Sequence, residues 1–200
     1  DNGVGLSFLA RWDGSAWSRL GSGMDQWVNA LAVHDGQLTA AGTFSRAGEV
    51  IAHRIARWDG LQWQPFGAGI PFGTVSTLVP FNGDLIVGGD FPDARGRNLT
   101  HITRWNGSAW TAFGELGSTC AALTVFEGEL IAGGFFDSFL RRWSSETSMW
   151  NPVDAGMNGP VFDFAEYNGD LIAAGAFTSA NGVKARRIAR WTGTEWQPLG

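Results

Sequence analysis

Apolar residues along this chain come in short runs, each ending at a glycine-containing turn that leads straight into the next run. This rhythm predicts β-hairpins and no helix. VNALAVHDG, VSTLVPFNG, CAALTVFEG and VFDFAEYNG are each followed directly by QLTAAGTF, DLIVGGDF, ELIAGGFF and DLIAAGAF. The joining dipeptides Asp35-Gly36, Asn82-Gly83, Glu127-Gly128 and Asn168-Gly169 suit a two-residue type I′ turn, which needs positive φ at both positions. Hairpins are therefore expected over 25–44, 71–91, 118–136 and 158–177. Both faces of these runs are largely apolar, as in sheets sandwiched between other sheets. Gly42, Gly88-Gly89, Gly133-Gly134 and Gly175 sit just before a Phe, where a missing Cβ lets neighbouring backbone approach closely.

A second hairpin alternates with the first and is marked by a Trp pair: Trp12/Trp17, Trp58/Trp63, Trp105/Trp110, Trp143/Trp150 and Trp191/Trp196. Centring a two-residue turn on Gly14-Ser15 sets Trp12 opposite Trp17, and most other pairs follow suit. Cross-strand aromatic pairs of this kind stabilise a hairpin. The pairs recur about every 46 residues, so the chain is a repeat array of four-stranded units. That period with that content predicts an all-β fold, a β-propeller of four-stranded antiparallel blades. Five Trp hairpins but only four first hairpins give a half-blade at 1–24 and blades at about 25–69, 70–117, 118–157 and 158–200. The unmatched half-blade predicts that these residues belong to a longer repetitive chain or to an assembly, self-associating through the open half-blade or through stacked faces.

Composition narrows the classes. Two hundred residues with 44% apolar content suffice for one domain, and no apolar run reaches the roughly 18 to 20 residues that span a bilayer. A net charge of -5 argues against nucleic acid, whose phosphates demand cations. The single Cys120 excludes an internal disulfide and a thiolate metal cluster, and its repeat equivalents Val28, Val75 and Val161 mark it as a buried small hydrophobe. Of two glycosylation sequons, the one at Asn106 lies in a turn that other units fill with Asp-Gly, which leaves Asn98 as the candidate acceptor.

The strand order and double glycine resemble kelch-like propellers. AGGxF followed by IARWDGxxWxxLGxG, carried by Ile55-Ala56-Arg57-Trp58-Asp59-Gly60 and its four counterparts, resembles the repeat of the fungal cortical cell-polarity marker family and of related secreted bacterial repeat proteins. The resemblance implies a propeller displayed outside the cell or at its surface, used for binding or scaffolding. Two features depart from it: the Tyr that kelch repeats carry is absent, and the unit around Trp143 has lost about seven residues between Phe136 and Trp143.

Candidate chemistry is sparse. Arg11, Arg57, Arg104, Arg142 and Arg190 precede the first Trp (Trp12, Trp58, Trp105, Trp143, Trp191) in all five units. Such recurrence points to structure: partly buried guanidiniums on backbone carbonyls or on Trp, with a ligand-binding ring as the other reading. The three histidines occupy different repeat contexts, so no metal or cofactor is expected. Paired carboxylates for glycoside hydrolysis remain open, because their spacing is spatial and 19 acids are present. The turns of one face hold acids and no Lys or Arg, which suits tight turns and also a polarised disk that stacks or recruits a cation. The loops between the two hairpins, SRAGEVIAHR, PDARGRNLTH and TSANGVKARR, vary most while the strands repeat. They nominate Arg46, Glu49, His53, Asp93, Arg95, Arg97, Lys184 and Arg186 as binding residues. The expectation is a non-enzymatic module with protein or glycan as partner, and the alternative is a carbohydrate-active enzyme or glycan-binding propeller using those loops.

Overall fold

The structure, a computed structural model, describes residues 8–92, 100–153 and 156–199. Among them there is no helix, and the chain runs as short antiparallel strands. β1 (Ala10–Trp12) and β2 (Trp17–Arg19) form a two-stranded sheet. β3 (Val28–His34), β4 (Gln37–Gly42), a small extra hairpin of β5 (Arg46–Ala47) and β6 (Val50–Ile51), then β7 (Ile55–Trp58) and β8 (Trp63–Pro65) follow. β3, β4, β7 and β8 pair in that order as one sheet. The second sheet holds β9 (Thr74–Phe81), β10 (Asp84–Asp90), β11 (Ile102–Trp105) and β12 (Trp110–Ala112). The third holds β13 (Cys120–Phe126), β14 (Glu129–Gly134), β15 (Leu140–Ser144) and β16 (Met149–Pro152). In the fourth, β17 (Val161–Tyr167) and β18 (Asp170–Gly175) are joined through the hairpin β19 (Ser179–Ala180) and β20 (Val183–Lys184) to β21 (Ile188–Trp191) and β22 (Trp196–Pro198). The first strands of successive sheets pack side by side, β3 on β9, β9 on β13 and β13 on β17, in a β-propeller-like arrangement.

Local chemistry accounts for the elements. Asp35, Asn82, Glu127 and Asn168 have φ near +50° with the following glycine also positive, as the type I′ turns require. A Cβ on Gly42, Gly89, Gly134 or Gly175 would overlap the carbonyl oxygen of Trp27, Thr74, Thr119 or Pro160, so the close approach expected there is real. The residue that opens the third strand region is left-handed in every unit: Phe8, Arg54, His101, Phe139 and Arg187. In the last four, its carbonyl accepts a hydrogen bond from a glycine N–H at or next to the end of the second strand, at 3.0 to 3.2 Å. That repeated bond holds a conformation that side chains ordinarily avoid.

The Trp pairs form in the expected register, Trp12 opposite Trp17 and likewise through Trp191 opposite Trp196. Their role is to join units. Trp63 Nε1 donates to Leu20 O at 2.9 Å, Trp110 Nε1 to Phe66 O at 3.2 Å and Trp150 Nε1 to Phe113 O at 3.0 Å, each acceptor lying in the preceding unit. The rings close over Gly21, Gly67 and Gly114, where an added Cβ would come within 3.0 Å of Trp58, Trp105 or Trp143. Trp12 and Trp17 have no described unit before them and remain 49% and 59% exposed.

The arginine ladder departs from expectation in its partners and its exposure. Arg104 bonds Asp84 at 3.1 Å, Arg142 bonds Glu129 at 3.1 Å and Arg190 bonds Asp170 at 3.4 Å, so carboxylates at the start of the second strand, and not backbone carbonyls, receive the charge. Arg57 has Gln37 at that place and lies 5.9 Å from the Phe66 ring, as Arg104 lies 5.6 Å from Phe113. The stacking partners are phenylalanines. Arg104 and Arg190 are half-buried as expected, whereas Arg11, Arg57 and Arg142 are exposed.

Candidate functional site

Each first strand opens with a β-bulge, at Asn29, Ser76, Ala121 and Phe162, where the register to the second strand slips by one residue. The slip turns these residues and their neighbours toward the axis shared by the four first strands. There, residues 29–31, 76–78, 121–123 and 162–163 line an open cavity of about 400 Å³. Part of its polar lining is used to bind strand to strand: Asn29 Nδ2 donates to Val75 O at 2.9 Å, and Leu123 N donates to Thr77 Oγ1 at 3.1 Å. Asp163 is exposed, with one oxygen accepting from Phe164 N at 2.9 Å.

Two residues of this lining, and a third packed beside it, differ in kind from their counterparts. Phe162 stands where the other sheets have Asn29, Ser76 and Ala121, and Asp163 where they have Ala30, Thr77 and Ala122. Phe135, just after β14, stands where they have Thr43, Asp90 and Ala176. Phe135 and Phe162 are 52% and 47% exposed, yet their rings pair at 5.7 Å across adjacent sheets. An apolar aromatic platform beside an acceptor carboxylate, at the rim of a cavity, can hold a chain that brings both apolar groups and donors.

The loop residues nominated from sequence are spread over separate sheets. Arg46, Glu49 and His53 are exposed on the β5/β6 loop, where Arg46 Nη2 donates to Glu49 O at 2.9 Å. Lys184 and Arg186 are exposed on the β19/β20 loop of the fourth sheet. Asp93, Arg95, Arg97 and the sequon residue Asn98 lie outside the described residues. Arg54, which sequence reasoning passed over, braces two loops by donating to Gly73 O at 2.7 Å and Pro71 O at 2.8 Å.

The acidic turns are occupied by local structure. Asp13 Oδ1 accepts from Ser15 N, Ser15 Oγ and Ala16 N, and these bonds hold its carboxyl down at about 2. Asp59 is lowered in the same way, first by Gln62 N–H and then by Gln64 and Leu61. Asn106 makes the equivalent turn, accepting from Ser108 and Ala109, so its sequon serves turn geometry. Among the described residues no His, Cys, Asp and Glu side chains group as metal ligands. Cys120 is fully enclosed, and burial pushes its thiol far above the ordinary range, which removes it as a nucleophile.

No protein-family model and no curated protein matches this chain. Solved structures do. The computationally designed Ika4 protein superposes with a TM-score of 0.52 at 15% identity, covering 86% of this chain and 94% of its own. YCF48, a propeller whose structure is described as bound to D1 peptide, superposes with a TM-score of 0.55 at 18% identity over 94% of this chain. The chain spans about three fifths of YCF48, 59% of its length. These likenesses establish the fold.

Proposed function

We propose that this chain is a non-enzymatic protein-binding module of the kelch-like propeller type, four blades and a half-blade, displayed outside the cell or at its surface. Its axial mouth takes an unstructured segment of a partner protein. The observation that carries this reading is the gathering of Phe135, Phe162 and Asp163 at one place. These positions vary from unit to unit while the strands repeat, and here they bring two exposed rings and a carboxylate together at and beside one cavity, side chains that suit a ligand better than packing between units. A propeller neighbour that holds a peptide supports the class of partner, and the resemblance to secreted repeat proteins supports the location.

A combined panel of unstructured peptides and glycans tests the reading. The expected result is retention of peptides by the native chain and their loss from the Phe135→Thr, Phe162→Ser double variant, which restores the residues of sister units and leaves the folded core untouched. Glycan retention without peptide retention would overturn it. So would reproducible cleavage of a glycan abolished by Glu49→Gln, which would establish the carbohydrate-active alternative.

A further inference from the structure

The third unit lacks the small hairpin that fills one position in the first and fourth. In the first unit, Asp25 N donates to Arg46 O at 3.3 Å and Gly48 N donates to Gly23 O at 2.7 Å, so that Ala47 pairs with Met24. In the fourth, Asn158 N donates to Ser179 O at 3.3 Å and Asn181 N to Gly156 O at 3.1 Å, so that Ala180 pairs with Met157. Both hairpins are also clamped by a side chain, with Asp25 Oδ1 accepting from Ser45 N and Arg46 N and Asn158 Oδ1 from Thr178 N and Ser179 N. In the third unit the chain turns back at once through Ser138 and Phe139, both at positive φ. Leu116 occupies the place of Met24 and Met157, Gly117 that of the clamping residue, and no hairpin lies over them.

What remains is a notch of about 240 Å³ bordered by Leu116, Gly117, Phe136 and Arg141. Arg141 is itself a departure, standing where sister units have Ala56, Thr103 and Ala189. Its guanidinium lies 5.5 Å from the Phe136 ring, and its Nε is buried with no hydrogen-bond partner. A buried N–H of a charged group without an acceptor is costly, so the notch asks for an oxygen. Around the rim, the carboxylates of Glu115 and Asp137 are exposed and form no ion pair among the described residues.

We propose that this notch is a strand-addition site for an extended segment of a partner protein. The segment carries a small residue in register with Leu116, an oxygen acceptor toward Arg141 Nε and a cationic side chain toward Glu115 and Asp137. It pairs with Gly117 N–H and Glu115 C=O as the chain's own hairpins pair in the first and fourth units. This rests on the protein-binding reading above and gives that partner a second, backbone-directed anchor next to Phe135.

The chain's own fourth hairpin is the probe. An acetylated and amidated peptide of residues 178–184, Thr-Ser-Ala-Asn-Gly-Val-Lys, supplies the small residue, the oxygens and the cation. Titrated into the full chain and followed by NMR, it is expected to shift the Gly117 N–H and Arg141 Nε–H signals saturably. N-methylation of the peptide at its Asn should weaken binding about tenfold, the loss of one effective hydrogen bond, and Arg141→Met should weaken it by a similar factor. The N-methyl comparison needs no protein variant, so it holds even if Arg141→Met does not fold. Absence of saturable shifts at Gly117, or affinity unchanged by N-methylation, would overturn the notch. Shifts confined to residues 162–163 would sink the notch while leaving the axial reading intact. Failure of the whole peptide panel would sink that reading instead.

Discussion

At the scale of single residues, the turns and the ladder separate charges with different fates. Asp13 is held at about 2 against an ordinary value of 3.8, so its bonds contribute fully above the ordinary value and are lost as pH falls toward 2. Asn106 makes the same turn with no group to titrate. Carboxyl NMR is therefore expected to place the Asp13 midpoint near 2, and Asn106→Asp should add a third depressed carboxylate, after Asp13 and Asp59, while leaving stability at neutral pH within about 0.5 kcal/mol. In the ladder, Arg104→Ala should cost about 0.5 to 1 kcal/mol, since it loses Asp84, Thr111 and the Phe113 face. Arg57→Ala, lacking an acidic partner, should stay within about 0.5 kcal/mol in urea unfolding. The Arg positions were legible in sequence because they recur. Their partners were not, since Asp84, Glu129 and Asp170 are brought beside them only by the pairing of second and third strands.

At the scale of elements, the hairpins and their registers were legible because turn chemistry is local. The Asp-Gly and Asn-Gly dipeptides fix the first hairpins, and the spacing of the tryptophans fixes the second. Periodicity says nothing of whether a recurring contact lies within a unit or between units, and the indole bonds turn out to run between them. The axial site was hidden for the same reason, since Phe135 and Phe162 are 27 residues apart and meet only across two sheets. Trp110→Phe is expected to cost roughly 1 to 3 kcal/mol by leaving Phe66 O unpaired and a gap beside it, whereas Trp17→Phe should be near neutral. Gly67→Ala should cost more than about 2 kcal/mol, because its Cβ would lie 2.5 Å from Trp105 at a φ of +59°. Gly60→Ala, with φ of +102° but open space, should cost roughly 1 kcal/mol. Thermal and urea unfolding of the four variants check this order.

At the scale of the whole molecule, cohesion runs from each unit to the one before it. Because three of the Trp hairpins close over a glycine of the preceding unit, such a unit excised at its sequence boundary keeps its strands and loses its seal, and an isolated repeat is expected to remain unfolded by circular dichroism. The indole bonds also give the array a mechanical direction. The three bonds enclose 43, 44 and 37 residues, the last short because the third unit has lost its small hairpin. Stretched between its ends in an optical trap, the chain should rupture joint by joint. At about 3.4 Å per freed residue, two steps should lengthen it by roughly 150 Å and one by roughly 125 Å, so the missing hairpin would be read as a single short tooth in the force trace.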